Sequence, residues 1–384
     1  MSSKFFKPAL FILILVFLKT NSFSQFQGYD VHINYFWDFY SNNRLSTVNA
    51  GKGYTGIASN NDIGGSIINP ASLDLKSKFE VHGEYVIKNN VPWLTALIPS
   101  QMYLKELHPG GLISAGYKIN ESFQTGLIFY YANSHTLDLG TIIMTDEFGN
   151  QLGTYTASYN TSKSSLSAPL VFNYKNKFKA GINLIFSMFN ASAKYSDLTG
   201  IAANNSILDG KSNFNLFTGQ IGFIYSPVSS LSLGLTISIP AEHTIVWQYG
   251  TLPQETFPQL YTEPMKIGVG AEYRFKNTPL KLAFEYNYVN SSQMSWLRDR
   301  HDVNFGAEYE LNRKITIRGG FFTVRDFRFG EYIDPYGEYN EYFLTAGGSF
   351  KLGIITASVS LMDSHISTGL IKQTLLNGGI TMDF

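Results

Sequence analysis

The chain of 384 residues contains no cysteine, which excludes a disulfide framework and any thiolate-bound metal. Charge is scarce as well: 15% of residues are Asp, Glu, Lys or Arg, with 29 basic residues balancing 29 acidic ones. Zero net charge leaves no basic footprint for nucleic acid, so no nucleic-acid partner is expected. After the first ~20 residues no apolar run reaches helix-spanning length, which excludes a helical membrane protein. The seven histidines (32, 82, 108, 135, 243, 301 and 365) are scattered, with no H-E-x-x-H or other metal spacing. Ser134-His135 and Ser364-His365 are adjacent pairs, and neighbours on a strand face opposite ways. No nucleophile–base–orienter set can be assembled, so catalysis, a metal and a cofactor are all unexpected.

What is present begins with an export signal. Lys4 and Lys7 lead the apolar run Ala9–Leu18, and Ser22-Phe23-Ser24 supplies a small-x-small cleavage site. Residues 1–24 are therefore expected to be a signal peptide, with Gln25 the first mature residue. The second bias is 24 Tyr, 30 Phe and 34 Gly. In an exported chain without cysteine, aromatic and glycine enrichment suits an outer-membrane β-barrel, whose rings form girdles at both interfaces.

From residue 79 the dominant period is two. Met265, Ile267, Val269, Ala271, Tyr273 and Phe275 alternate with Lys266, Gly268, Gly270, Glu272 and Arg274. Leu280–Val289 and Asp302–Leu311 repeat the device. Such alternation places apolar side chains on one face and polar ones on the other, which in a barrel are lipid and lumen. Phe79–Lys88, Gly111–Ile119, Phe123–Ser134, Leu166–Tyr174, Phe178–Ala193, Phe214–Tyr225 and Leu231–Val246 also qualify, as do Ile315–Val324, Tyr342–Phe350, Gly353–Leu361 and Thr374–Phe384. That makes about fourteen strands joined by alternating short and long connections, an all-β antiparallel transmembrane barrel over residues 79–384. A soluble sandwich alternates too, but its outer face would carry charge.

Residues 25–78 do not read as barrel strands and are expected to plug the lumen. Their aromatic cluster, with Tyr35, Phe36, Trp37 and Phe39, either lines a ligand cavity or anchors the plug. Two connections are unusually apolar for solvent-facing loops and are candidate capture surfaces. One carries Trp93, Leu94, Leu97, Ile98, Met102 and Tyr103; the other carries Leu252, Phe257 and Leu260. Within the plug, Gly51, Gly53 and Gly56 form G-x-G-x-x-G. A dinucleotide turn needs a strand before it and a helix after it, and Asn60–Gly65 reads as a loop, so the glycines are assigned to tight packing and φ > 0 turns.

This segment resembles the N-terminal hatch of the FadL-type outer-membrane transporters of long-chain fatty acids and other hydrophobic compounds, a family that includes toluene-uptake relatives. Ala50–Ala58 leads to Asp62 and then to Asn69-Pro70-Ala71-Ser72-Leu73, similar to the family's N-P-A-G/S element. Gly306-Ala307-Glu308-Tyr309 and Ile317-Arg318-Gly319-Gly320-Phe321 look like two of its strands. The resemblance implies a monomeric hatch-plugged barrel in the outer membrane that takes up fatty acids or other hydrophobic small molecules passively. Its hatch motif falls on Gly51, Gly53, Gly56, Asn69, Pro70 and Ala71. The chain departs from the family in being short and in lacking a long apolar helical pair after Ala193. A related subfamily found with type IX secretion machinery shares the hatch pattern, which makes a docking or shuttle barrel with secretion partners the alternative.

Overall fold

The computed structural model describes residues 45–88, 103–108, 110–145, 151–175, 177–197, 207–246, 248–249, 258–292, 298–325, 340–365 and 374–384. The signal segment, the Tyr35–Tyr40 cluster and capture residues Trp93, Leu94, Leu97, Ile98, Met102, Leu252 and Phe257 lie outside them.

The strands in chain order are β1 (Phe79–Lys88), β2 (Tyr103–His108), β3 (Gly111–Lys118), β4 (Phe123–Thr145), β5 (Gln151–Tyr174), β6 (Phe178–Asp197) and β7 (Ile207–Val228). Next come β8 (Leu231–Ser238), β9 (Ala241–Val246), β10 (Gln248–Tyr249), β11 (Pro258–Glu263), β12 (Lys266–Arg274), β13 (Leu280–Val289) and β14 (Arg300–Glu310). The last four are β15 (Ile315–Val324), β16 (Glu341–Leu352), β17 (Ile355–Asp363) and β18 (Thr374–Asp383). Fourteen of them form a closed antiparallel barrel in which β1 pairs with β18 and β7 with β8, while β2 and β10 attach at its rim and β9 and β11 form a separate pair.

Alternation works as the residue pattern requires. Val269, Tyr273, Phe284, Tyr286, Val303, Phe305 and Tyr309 are outward and exposed, whereas Glu285, Asp302 and Asn304 are buried inside. Outward rings gather near the short turns: Phe79, Tyr117, Phe123, Phe172, Tyr174, Phe178, Tyr225, Tyr273, Phe275, Tyr309, Phe350 and Phe384. That is one interfacial girdle, and it marks the end where both the first and last barrel strands terminate. Phe79 N and Phe384 O close the seam there at 3.2 Å.

The structure corrects the sequence expectations on the opposite, long-connection side. The strands expected as Phe123–Ser134, Leu166–Tyr174, Phe178–Ala193 and Phe214–Tyr225 are only the lower parts of β4 to β7, which run for 23, 24, 20 and 22 residues. About ten residues suffice to cross the hydrocarbon, so roughly half of each strand stands beyond it. Those upper segments are rich in Thr, Ser and Tyr, which suit a paired strand whether or not it meets lipid. Part of each expected loop is strand as well: Tyr103 lies in β2, paired with β4, and Leu260 in β11, opposite Thr244.

Expected strand Leu231–Val246 is in fact broken. The β8–β12 ladder runs to Ser238↔Lys266, and β9–β11 resumes in the same register at Ala241↔Glu263. The missing rungs include Pro240 and Pro264, neither of which has an N–H to donate. The pair bends there and leans into the barrel mouth. Tyr261 becomes 3% exposed, with its ring 4.9 Å from Phe189 and 5.5 Å from Phe214, two inward rings of β6 and β7. His243 stacks on Phe214 at 4.6 Å.

Candidate functional site

Residues 45–78 fill the lumen. They contain a short helix α1 (Thr47–Gly51), two 3₁₀ turns (Gly64–Ile67 and Pro70–Ser72) and otherwise irregular chain. A plug with so little regular structure leaves its backbone groups unpaired unless the wall supplies partners, and the wall does. Glu84 of β1 accepts from Ser46 N, from Thr47 N at 2.8 Å and from Thr47 Oγ1 at 3.1 Å. Glu80 accepts from Ile63 N at 3.0 Å. Glu285 of β13 takes Gly56 N and Ile57 N at 2.6 and 2.5 Å on one oxygen. Gln124 accepts from Leu75 N at 2.8 Å, Gln220 donates to Ile68 O at 2.8 Å, and Asn304 donates to Tyr54 O at 3.1 Å. The wall thus acts as the plug's secondary structure.

Steric fit comes from glycine. A Cβ on Gly306 would lie 2.2 Å from Lys52 O, on Gly320 2.4 Å from Gly53 N, on Gly181 2.5 Å from Ala71 N, and on Gly234 2.3 Å from Ile57 O. These positions sit on four different strands and form part of an inward belt on which the plug backbone rests. The alternation alone gave none of these four glycines a seating role. The available signal was glycine recurring at inward positions of successive strands.

The predicted hatch residues divide by role. Of the three motif glycines only Gly53 has positive φ, at 66°. It continues into Tyr54 at φ 62°, and its N–H donates to Thr345 Oγ1 at 2.9 Å. Gly51 serves close approach: its Cβ would stand 3.0 Å from Gly347 Cα. Gly56 packs against Ile68 and Asn49 in the same way. Asn69 caps the second 3₁₀ turn by accepting from Ala71 N at 3.0 Å and donates to Ile57 O at 2.6 Å. Pro70 occupies the first position of that turn, where its missing N–H costs nothing.

An apolar core joins plug to wall: Leu45, Tyr54, Ile57, Ile63, Ile67 and Ile68 pack with Val86, Leu112, Ile128, Val171, Phe322 and Phe343. Ile63 also covers a weak place in the wall. The β4–β5 ladder lacks the Gly126 and Leu127 rungs, which would stand opposite Pro169 and Ala168, and Ile63 Cδ1 sits 2.3 Å from where a Gly126 Cβ would be. The signal in the sequence is Pro169, which has no N–H to donate and lies on the neighbouring strand.

Chambers lie on either side of the plug. Toward the long connections is a cavity of ≈130 Å³, walled by Tyr54, Ile68, Phe322, Val289 and Val324 and edged by Gln220, Glu285, Asn304, Lys266, Arg300 and Asp302. Toward the short turns is a larger vestibule of ≈460 Å³, rich in charge. There Glu308 holds Lys281 and Arg318, each at 2.7 Å. The leaning β9–β11 pair is held at the mouth by Glu263, which reaches Lys163 of β5 at 3.0 Å, Lys266 at 3.4 Å and the Tyr261 hydroxyl at 2.7 Å.

No family model matches the chain, and no curated protein does. Solved structures do. The toluene transporter TodX of Pseudomonas putida aligns over 88% of this chain and 96% of its own, at 13% identity and TM-score 0.57. The toluene transporter TbuX of Ralstonia pickettii aligns over 88% and 98%, at 15% identity and TM-score 0.59. A FadL homologue of Pseudomonas aeruginosa aligns over 89% and 99%, at 12% identity and TM-score 0.59. What the chain shares with all three is the fold, that of the FadL-type barrels.

Proposed function

We propose that this protein sits in the outer membrane, short turns toward the periplasm, and admits hydrophobic small molecules passively past its plug. The observation that carries the reading is the plug itself. It fills the lumen and is held to the wall by side-chain hydrogen bonds and glycine contacts rather than by covalent links or shared strands. Neighbours of the same fold described as toluene transporters and a monoaromatic hydrocarbon channel support it. An apolar molecule gains about 0.8 kcal/mol per CH₂ on leaving water, so an apolar-walled chamber is a favourable way station where an open water pore is not. From the chamber the route continues either past a displaced plug or sideways at the weak β4–β5 ladder under Ile63.

A removable staple tests this. A Cβ built on Gly379 lies 3.4 Å from Thr47 Cβ, close to disulfide geometry, and the chain has no other cysteine. Thr47→Cys/Gly379→Cys, expressed in cells deleted for their own hydrophobic-uptake barrels, should lose most uptake of labelled toluene and laurate when oxidised and regain it on reduction. Uptake unchanged by the staple would place the route at the side wall. Wild-type protein giving no uptake above an empty vector would overturn the transport reading and favour the docking barrel.

A further inference from the structure

The short-turn end of the barrel carries more positive charge than its own acids answer. Glu121 holds Lys118 at 3.0 Å, Glu310 holds Lys281 at 3.1 Å and Asp383 holds Lys351 at 3.5 Å. Six further cations at this end, Lys78, Lys175, Lys177, Lys276, Arg313 and Lys314, are exposed. None of the six has an acidic partner among the described residues. They are spread around the rim. Lys78 lies at the seam, where its carbonyl accepts from Lys118 N at 2.9 Å. Lys175 and Lys177 flank the β5–β6 turn, Lys276 lies between β12 and β13, and Arg313 and Lys314 lie between β14 and β15. Charge distributed in this way suits something that encircles the barrel better than one compact ligand.

Their height on the barrel narrows the class. Four of the six adjoin an outward girdle ring in sequence: Lys78 beside Phe79, Lys175 beside Tyr174, Lys177 beside Phe178 and Lys276 beside Phe275. Those rings are between 38% and 48% exposed and mark the level where acyl chains give way to headgroups. Lys175 Nζ lies 5.2 Å from the centroid of the Tyr174 ring, so its charge stays at the girdle instead of reaching away from it. Lys175 also holds a left-handed turn position, φ 52°, that suits glycine or asparagine better. A soluble acidic protein would be met best by charges that project clear of the membrane, and these lie on its boundary.

We infer that this rim binds the headgroups of anionic phospholipids, each girdle ring lying against the upper acyl chain and the adjoining cation against the phosphate. A zwitterionic lipid offers a phosphate too, but brings its own counter-charge, so the net-anionic class is selected. The inference goes beyond the uptake reading: it needs the barrel in a bilayer and nothing about what the barrel admits.

Purified full-length protein in phosphatidylcholine vesicles, with traces of spin-labelled phosphatidylglycerol or phosphatidylcholine, reports relative affinity as the fraction of each label slowed at the barrel wall. The phosphatidylglycerol label should be favoured by about three- to fivefold, and the preference should fall toward equality in ~1 M salt, where screening acts within ~3 Å. Lys78→Gln/Lys175→Gln/Lys177→Gln/Lys276→Gln/Arg313→Gln/Lys314→Gln should lose most of it. Lys211→Gln/Arg325→Gln, which removes two exposed cations at the opposite end, should keep it. Equal association of the two labels with wild-type protein overturns the inference, even where the sixfold variant does not fold, and leaves these charges to a soluble acidic partner. A preference that survives the sixfold variant, or vanishes in the double one, overturns it as well. The stapled-plug assay judges uptake independently of every one of these outcomes.

Discussion

At the residue scale the plug is specified by what the wall omits. Inward glycines let backbone lie on backbone, and the same residue type elsewhere in the wall has no such duty. Gly320 and Gly378 make the contrast, since a Cβ on the first would stand 2.4 Å from Gly53 N and one on the second meets nothing within 4 Å. Gly320→Ala is therefore expected to destabilise the folded barrel by roughly 1–3 kcal/mol, the usual range for overpacking against groups that cannot yield. Gly378→Ala should change stability by less than about 0.5 kcal/mol. Unfolding by denaturant in micelles measures both, and equal effects would show that the belt is not a seat. The carboxylates are the other half of the specification. Glu80, Glu84 and Glu285 each sit on the polar face that the alternation assigned to the lumen, yet periodicity says only that they point inward. Their partners are plug amides between 17 and 229 residues away in sequence, which no local pattern can reveal.

At the scale of elements the pair β9–β11 is the least expected feature. Its bend comes from two prolines facing each other across one rung, and its docking relies on a single acid. Burial alone would push the Glu263 carboxyl up. Lys163 and Lys266, with the Tyr261 hydroxyl, outweigh that and hold it at about 2 instead of 4.5. A carboxylate whose docked pKa is depressed favours docking above its free value, and this contribution is lost as pH falls through the docked value. The pair should therefore stay docked from neutral pH to about 4.5 and loosen as pH drops toward about 2, with on the order of 2–3 kcal/mol at stake. Hydrogen exchange of the β9 and β11 amides across that window reads it, and Lys163→Met should move the loosening to higher pH. Protection that stays flat down to pH 2 would mean the aromatic contacts alone hold the pair. The lower parts of the strands were legible because lipid imposes a strict period of two. The upper parts of β4 to β7 were not, because beyond the hydrocarbon no lipid imposes that period, and their pairing continues the register of the strand parts beneath them. Pro240 was in plain view, but an apolar alternation on either side of it concealed the break.

At the scale of the whole molecule, barrel and plug are complementary rather than independent. Fourteen strands enclose a lumen that side chains of the wall alone do not fill, so closure depends on residues 45–78. The family-like N-terminal motif made the plug's existence legible, while its seat became visible only once the wall was closed around it. The complementarity predicts the electrical behaviour of the intact and the plugless protein. Full-length protein in a planar bilayer should show little steady conductance. A variant lacking residues 45–76 should conduct ions, because the glycine belt is left as an empty ring. It should also prefer cations. The charged pairs Lys281–Glu308 and Arg300–Asp302 remain matched within the wall, and Glu84 keeps His82 of the same strand at 3.2 Å, whereas Glu80 and Glu285 lose the amides they now hold and become carboxylates in water that outnumber Lys179, which loses its plug partner Asp74. Current–voltage curves under a salt gradient measure the preference directly. A plugless barrel that folds yet stays closed would show that other segments occlude the lumen. One that conducts without cation preference would show that the freed carboxylates do not govern the field at the level where the plug now sits.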